Sequence, residues 1–241
     1  MTVADESSHD AAERQRIIAE FQRRDREVDD DLYAPWNPSA IYRRQGFTRR
    51  AALDLARNGV FPRPGQPCLE IGYGSLGWLA ELLVWGLRET DLHGIELDGE
   101  RAAVAREAFP AADLRIGDAS HLPWPDGYFR LVIASTVVSS ILDNGYRRRV
   151  AADVARVIAP GGALLWYDLR VNNPSNPNVR RIDRSELSAL FPGLSGTTRA
   201  VTLAPPLARV LIPRMELLAR ILEAIPLTRT HLLAVLVKGG S

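Results

Sequence analysis

The feature that most constrains the fold is a regular alternation of apolar runs and helix-forming segments between residues 66 and 169. The runs QPCLEIG, DLHGIEL, ADLRIGD, YFRLVIAS and GGALLWYDL predict five strands, and segments such as GERAAVAREAF and YRRRVAADVARVIA predict helices between them. Strands that alternate with helices form βαβ units, whose right-handed crossovers give a mostly parallel sheet with helices on both faces. Such sheets bind ligands at the carboxyl ends of their strands, where the strand order reverses.

The segment after residue 169 completes this sheet. TTRAVTLAPP predicts a sixth strand, residues 207–225 a long amphipathic helical stretch, and THLLAVLVK a final strand. We therefore predict an α/β fold with a doubly wound, mostly parallel seven-stranded sheet in a single domain over residues 32–241. Residues 1–31 are predicted to be a charged N-terminal extension, partly disordered, with a short helix around Ile17 and Phe21.

Composition argues against several functional classes. The net charge of +1 lacks the basic excess typical of nucleic-acid binding. Cys68 is the only cysteine in the sequence, which excludes an intrachain disulfide and a zinc site built on cysteines, and we predict no metal. The first residues, MTVADESSHD, do not resemble a signal peptide, and no apolar run approaches the ~20 residues needed to span a bilayer. We expect a cytoplasmic protein that is not inserted in a membrane.

The stretch LEIGYGSLGWLAELL contains a Gly-x-Gly-x-x-Gly spacing at Gly72, Gly74 and Gly77. This spacing is the fingerprint of dinucleotide-binding proteins. In a strand-to-helix turn, glycines let a ligand approach the backbone, and the following helix offers free N–H groups to an anionic group. Those properties suit both NAD and S-adenosylmethionine, so the glycines alone do not discriminate between them. Glu70, two positions before Gly72, is a different clue.

Two further acids follow predicted strands. Glu96 ends the second strand, 24 residues after Gly72, where a carboxylate can accept hydrogen bonds from ribose hydroxyls. Asp118 follows the third strand, where a carboxylate can accept from the amino group of an adenine lying across the sheet edge. The Pro-Asp-Gly turn at residues 125–127 and the Pro-Gly-Gly turn at 160–162 precede the fourth and fifth strands.

Taken together, the motifs in residues 69–168 resemble the class I S-adenosylmethionine-dependent methyltransferases of the type-11, UbiE-like branch. The resemblance implies a Rossmann-like methyltransferase fold with an N-terminal helical lid, S-adenosyl-L-methionine as cofactor, and O- or N-methylation of a small molecule. For the acceptor, the branch suggests a sugar or secondary-metabolite intermediate of a biosynthetic pathway, and no residue of the sequence indicates this class.

The resemblance also implies roles for individual residues. The methionine end of the cofactor would lie on Glu70, Gly72, Tyr73 and Gly74 and beside Ser135, the ribose on Glu96, and the adenine on Leu97, Asp118 and Ala119. One departure concerns the loop, because the third glycine of the family pattern falls at Leu76 here, one position before Gly77. That shift creates the dehydrogenase-like spacing.

A second departure concerns catalysis. Many members of the branch have histidines after the fourth strand, where this chain has Ser139 and Ser140. Methyl transfer is an in-line displacement that positioning alone can promote, although a hydroxyl acceptor still loses a proton. The general base is therefore unknown, and Asp168 is a weak candidate for which a structural role is favoured. His121 and His231 are expected to be structural.

Two surfaces are candidates for contact with the substrate. The aromatic residues Tyr33, Trp36 and Tyr42 precede the core, where the branch folds a lid over the site, and packing of that lid onto the core is the favoured role. The helical stretch 207–225 is interrupted by arginines, and we expect ordinary core packing with the arginines at the rim. Contact with a membrane surface or a lipid-linked substrate is the alternative for this stretch.

Three competing functions stay open at this point. An NAD-dependent oxidoreductase is disfavoured by Glu70, by the Gly-Asp-Ala segment at residues 117–119 and by the Pro-Gly-Gly turn. A non-catalytic S-adenosylmethionine-binding module is compatible with the missing histidines. A nucleic-acid methyltransferase is opposed by the nearly neutral charge and by the absence of a target-base motif. The oligomeric state is left open by the sequence.

Overall fold

The computed structural model describes residues 3–27, 30–32, 34–75 and 77–240. The strands are β1 Cys68–Ile71, β2 Leu92–Glu96, β3 Asp113–Ile116, β4 Phe129–Ser135, β5 Ile158–Leu169, β6 Leu194–Leu203 and β7 Arg229–Lys238. The α-helices are α1 Val3–Glu27, α2 Pro38–Arg57, α3 Leu79–Val84, α4 Gly99–Ala108, α5 Asn144–Val157, α6 Arg184–Leu190, α7 Pro205–Leu211 and α8 Glu216–Ala224.

Within the described residues the strands form a seven-stranded sheet in the order β3-β2-β1-β4-β5-β7-β6. The first five strands are parallel to one another, and β7 runs antiparallel to both β5 and β6. The chain builds outward from β1 to β3 and then returns to place β4 on the other side of β1. The strand order therefore reverses between β1 and β4, which confirms the predicted doubly wound α/β fold.

Alternation along the buried strands divides the core between the two faces of the sheet. Leu69 and Ile71 of β1 contribute to the cluster beneath α1, α5 and α6, whereas Cys68 contributes to the cluster beneath α2, α3 and α4. Both clusters are built from fully buried side chains, as expected for a parallel sheet covered on both faces. Burial also raises the pKa of the Cys68 thiol, in keeping with an inert core residue.

Local sequence explains where the helices begin. The side chain of Asn37 accepts hydrogen bonds from the N–H groups of Ser39 and Ala40, and Pro38 occupies the first helical position of α2. Asp98 caps α4 in the same way, with its carboxylate accepting from the N–H groups of residues 100 and 101. The cap of α4 thus lies two residues beyond the end of β2, close to the candidate site.

Two segments differ from the sequence-based expectation. Residues 3–27 form one continuous helix of 25 residues, longer than the short helix expected around Ile17 and Phe21. The stretch 207–225 is divided into α7 and α8, with Pro213 in the interval between them. A proline lacks the backbone N–H that a helix interior needs, which accounts for this break. The domain boundary proposed at residue 31 stays a prediction.

Candidate functional site at the carboxyl edge of the sheet

A cavity of about 100 Å³ lies at the carboxyl ends of β1, β2, β3 and β4, where the strand order reverses. It brings together five of the residues that the resemblance assigns to the cofactor, namely Gly72, Glu96, Leu97, Ala119 and Ser135, and it also includes Ser140. Further lining comes from α1 and α5, through Ile17, Phe21, Tyr146 and Val150. Sequence reasoning did not assign a site role to these four side chains.

The glycines of the loop after β1 have backbone conformations that favour glycine. Gly72 has φ +65° and Gly74 has φ +60°. A Cβ on Gly72 would lie 2.8 Å from Cγ2 of Val137, and a Cβ on Gly74 would lie 2.8 Å from Nη2 of Arg101. Neighbouring side chains approach the backbone of both glycines this closely, so the loop leaves no room for a Cβ at either position. The bare backbone of the loop forms a cradle that larger residues would fill.

The carboxylate of Glu96 joins this loop to the end of β2. It is buried, its Oε2 accepts a 2.8 Å hydrogen bond from the N–H of Gly74, and its Oε1 accepts a 3.1 Å bond from the N–H of Asp98. Each oxygen of an ionised carboxylate has two lone pairs, so both retain acceptor capacity on the cavity side. The residue therefore offers a positioned negative charge to a ligand with hydroxyl groups.

Glu70 and Tyr73 lie outside the cavity lining. Glu70 is buried, its Oε2 accepts a 2.7 Å hydrogen bond from the N–H of Trp78, and burial raises its pKa well above the usual range. Tyr73 is also buried, and a Cβ on Gly94 would collide with its ring. Both side chains support the loop from behind, a position that the strand pattern did not reveal.

The third glycine of the dehydrogenase-like spacing has a local reason. Gly77 has φ +47°, and a Cβ there would lie 2.5 Å from Oε1 of Glu70 and 2.5 Å from the carbonyl oxygen of Tyr73. A side chain at this position would therefore displace the buried carboxylate. The glycine is needed to fit Glu70 beneath the loop, which makes the Gly-x-Gly-x-x-Gly spacing a by-product of packing.

Asp118 is adjacent to the cavity but is already engaged by protein donors. Its carboxylate accepts hydrogen bonds from the hydroxyl of Tyr146 at 2.6 Å, the N–H of Ser120 at 2.8 Å and the guanidinium of Arg14 at 2.6 Å. Burial by itself would raise the pKa of this acid, but these donors outweigh it and lower the pKa. Asp118 is thus held ionised, with Arg14 covering one of its oxygens.

Helix α1 forms the roof of the cavity. Ile17 and Phe21 face into it, and Arg101 lies over the Phe21 ring at 4.6 Å. The carboxylate of Glu13 accepts a 2.6 Å hydrogen bond from the N–H of Leu142, which attaches α1 to the segment after β4. The helix that the sequence presented as a charged extension is therefore the element that covers the site.

The aromatic residues predicted for the lid are placed differently. The side chain of Trp36 is 71% exposed and does not line the cavity. Tyr42 donates a 2.5 Å hydrogen bond to Glu223 of α8 and lines a separate groove between α2, β6 and α8. Tyr33 lies outside the described residues.

The mixed charges of α1 concealed the role of this helix as the cover of the cavity. The pairs Glu13–Arg16 and Glu20–Arg23 nevertheless have the i,i+3 spacing of helical ion pairs.

Asp168 is buried at the end of β5. Its Oδ2 accepts from the N–H of Ser139 at 2.9 Å, its Oδ1 accepts from the N–H of Leu169 at 2.8 Å, and burial raises its pKa to about 6. Ser139 and Ser140 are buried as well. This arrangement holds the turn after β4 in place, and the acid is not exposed to the cavity.

Next to Asp168, the turn after β4 contains a strained backbone. Thr136 has φ +56°, and its N–H donates a 2.7 Å hydrogen bond to the carbonyl of Tyr167 on β5. Positive φ at a β-branched residue is uncommon and concentrates at functional sites. Thr136 lines the cavity beside Ser135, and nothing in its sequence context indicated this conformation.

The two histidines considered as bases have structural surroundings. His231 stacks on the ring of Tyr167 with a centroid separation of 4.7 Å and an interplanar angle of 4°. Burial, together with the nearby charge of Arg43, lowers its pKa to about 3. His121 is exposed in a turn, where its Nδ1 lies 3.0 Å from the hydroxyl of Ser120.

Comparison with known proteins agrees with the fold. Residues 69–166 match the type-11 family model that is described as a methyltransferase domain. Over these residues the chain is similar to the class I methyltransferase domains of the type-11 family. The family and the fold imply S-adenosylmethionine as the cofactor. The glycine cradle and the buried carboxylate of Glu96 fit that molecule, because it has both a ribose diol and a flexible charged end.

Relatives of this methyltransferase domain match it over part of their length. A phthiotriol/phenolphthiotriol dimycocerosates methyltransferase of Mycobacterium tuberculosis is 33% identical over 111 residues, which cover 45% of this chain and 40% of that protein. An O-methyltransferase of Pyrenophora dematioidea is 28% identical over 128 residues, covering 51% of this chain and 46% of that protein. This chain thus matches less than half the length of each of these two relatives.

A solved structure supports the same fold. A SAM-dependent methyltransferase from Archaeoglobus fulgidus superposes with a TM-score of 0.56 at 15% identity, covering 79% of this chain and 93% of that one.

Across the described ranges, no helix is long and apolar enough to cross a bilayer. No cluster of three or more acidic, histidine or cysteine side chains suited to a metal is found among the same residues.

Proposed function

We propose that this protein transfers a methyl group from S-adenosylmethionine to the oxygen or nitrogen of a small molecule. The main observation behind the proposal is a hydrogen bond beside the cavity, at the point where the strand order reverses. The N–H of Gly74 donates to the carboxylate of Glu96 at 2.8 Å. NAD-dependent oxidation is disfavoured, because Gly77 serves the packing of Glu70 and residues 69–166 match a methyltransferase family model.

The proposed roles follow from the positions of the side chains. Glu96 would accept from the ribose hydroxyls, and the apolar faces of Leu97 and Ala119 would enclose the adenine. The backbone at Gly72 and Gly74 would lie against the methionine end, with Ser135 beside it. Glu70 and Tyr73 are better assigned to support of the loop, since neither lines the cavity.

Asp118 is the proposed partner of the adenine amino group. For that role Arg14 has to release one carboxylate oxygen, because the ion pair at 2.6 Å now covers it. Arg14 is one-third exposed and lies on α1, so a modest shift of the helix suffices to exchange one donor for the other. Cofactor entry and movement of α1 would then be coupled through the same carboxylate.

Catalysis in this proposal rests on positioning. When bound, the cofactor supplies an electrophilic methyl group on a sulfonium, and the protein contributes orientation and exclusion of water. Helix α1, through Ile17 and Phe21, provides the cover. Asp168 orients the turn at Ser139 through a backbone hydrogen bond and is assigned a positioning role.

The acceptor is proposed at the level of its class. The name of the O-methyltransferase relative favours a hydroxyl acceptor, and a sugar or secondary-metabolite intermediate stays the preferred compound class. A non-catalytic cofactor-binding module is the second candidate, because Ser139 and Asp168 do not line the cavity and the hydroxyl of Ser140, which does, is a poor general base without an assisting group. Cytoplasmic location and the absence of a nucleic-acid partner are further parts of the proposal.

The proposal is tested first by calorimetric titration of the purified protein with S-adenosylhomocysteine and, separately, with NADH. Binding of S-adenosylhomocysteine without binding of NADH is the expected result. Binding of NADH alone would overturn the methyltransferase assignment. Transfer of a labelled methyl group to metabolite fractions then separates the enzyme from the non-catalytic module, because the module would bind the cofactor without consuming it.

A further inference from the structure

The connection between β6 and β7 presents a surface that the fold does not cover. Its side chains are large and apolar, with exposed fractions between 40% and 90%; they are Leu207, Val210, Met215, Leu217, Ile221, Ile225 and Leu227, here called the hairpin face. The expectation that residues 207–225 pack into the core is therefore wrong for the six of these side chains that lie in that stretch. Single exposed apolar residues are ordinary, but a set of seven within 21 residues is not.

The exposure follows helical geometry. In α8, Leu217 and Ile221 are four residues apart and 74% and 55% exposed, whereas Ala219 is fully buried. Ala219 packs with Leu203 and with Ala208 of α7 in a small core cluster. Each of the two helices thus packs one side against the rest of the protein and exposes an apolar side to solvent. Helices that lie in a membrane interface have the same arrangement.

The charges around the hairpin face favour an anionic partner. Arg209 and Arg214 are exposed, and neither forms an ion pair with the described part of the chain. Glu216 of α8 pairs with Arg220 at 2.7 Å, whereas Glu223 accepts a hydrogen bond from the neutral hydroxyl of Tyr42 and keeps its charge. The two unpaired arginines outnumber this one acid, so the net charge beside the face is positive, which complements the headgroups of anionic lipids.

The location adds a reason for such a surface. Helices α7 and α8 form a helical hairpin that connects Leu203, the last residue of β6, to Arg229, the first residue of β7. This connection lies at the same edge of the sheet as the cofactor cavity. The exposed indole of Trp36 stands just before α2, whose first turn lines a small cavity together with Pro205 and Ala208 of α7. Tryptophan is enriched where protein meets the headgroup region.

We propose that the hairpin face docks this protein onto an anionic membrane surface, with the apolar side chains in the acyl boundary and Arg209 and Arg214 at the headgroups. The helices would lie in the plane of the interface. The carboxyl edge of the sheet would then be held beside the membrane. This inference does not depend on the proposed methyl transfer, since docking is a property of the outer surface.

The test is flotation of the full-length protein with vesicles of phosphatidylcholine alone and of phosphatidylcholine with about one-third phosphatidylglycerol. Wild-type protein should float with the anionic vesicles, and high salt should weaken the association. Leu217→Glu with Ile221→Glu should lower the partition coefficient by about 10-fold or more, because charge then replaces buried apolar surface.

Matched controls separate the hairpin face from apolar exposure in general. Val84 and Val104 are 78% and 50% exposed on α3 and α4, away from the hairpin, so Val84→Glu with Val104→Glu should float like wild type. Arg209→Gln with Arg214→Gln should reduce the preference for anionic vesicles. Titration of every variant with S-adenosylhomocysteine reports on folding and on the cofactor site separately from docking.

Three outcomes would overturn the proposal. The first is wild-type protein that stays unbound with both vesicle types at low salt. The second is an equal loss of flotation in the Val84 and Val104 control. The third is a dimer that Leu217→Glu with Ile221→Glu abolishes while vesicles are not bound, because the face would then serve a second copy of this chain.

Discussion

Replacement of Gly77 by alanine measures how tightly the loop after β1 is packed over its buried acid. At φ +47° a Cβ costs about 1–2 kcal/mol of conformational energy. Its position 2.5 Å from Oε1 of Glu70 adds an overpacking cost of about 1–3 kcal/mol. The free energy of unfolding should therefore fall by about 2–5 kcal/mol in Gly77→Ala.

Two other glycines supply a control, because they have the same positive φ but an added Cβ would make no steric contact. Gly59 has φ +67° and Gly86 has φ +93°, and a Cβ on either would meet nothing within 4 Å. Gly59→Ala and Gly86→Ala should each cost only the conformational part, about 1–2 kcal/mol. The difference between Gly77→Ala and these controls isolates the steric conflict with Glu70.

Urea unfolding of the three variants gives the free energies, and calorimetry with S-adenosylhomocysteine gives the consequence for binding. Gly77→Ala should also weaken that binding, because displacement of Glu70 removes the acceptor that holds the N–H of Trp78. The two controls should bind like wild type. Equal destabilisation of all three variants, with unchanged binding in Gly77→Ala, would refute the assignment of Gly77 to the packing of Glu70.

Glu96→Ala should weaken S-adenosylhomocysteine binding by about 10- to 100-fold, and equal affinity in a calorimetric titration would remove its ribose role. His121→Ala and His231→Ala should each keep kcat within about 10-fold once an acceptor is known, because neither residue lines the cavity and the His231 imidazole, with a pKa of about 3, is a weak base; a loss of ~100-fold in a folded variant would contradict this. Asp168→Asn should flatten the pH dependence of stability from pH 3.8 to about 6. In this pH interval the folded state keeps a proton on Asp168 that the unfolded state has released, so the stability of the wild type falls as the pH rises. Parallel stability curves for the two proteins would exclude this contribution of Asp168.

The hydrophobic pattern of the sequence was sufficient for the architecture. Alternation of apolar runs with helical segments predicted the five parallel strands, and the carboxyl-edge positions of Gly72, Glu96, Ala119 and Ser135 followed from it. These residues are adjacent in space because parallel strands end at one edge, whatever the details of packing. The seven-stranded count followed from the same pattern of segments, whereas the family followed from the motifs between residues 69 and 168.

Contacts between distant segments were decided only by the tertiary structure. Nothing local indicates that Arg14 reaches Asp118, 104 positions away, or that Ile17 and Phe21 roof the cavity. The amphipathic pattern of α1 and of α8 shows that each helix has an apolar side. It does not show whether another element is available to cover that side.

The two helices illustrate the physical difference. In α1 the apolar side meets the cavity, and some of its charged residues, such as Arg14 and Asp10, form ion pairs with other elements. In α8, Ala219 packs into a small core cluster, whereas Leu217 and Ile221 stay largely exposed in the described structure. Periodicity and the identities of strand-end residues are properties of the chain itself, whereas burial depends on which surfaces the folded chain brings together.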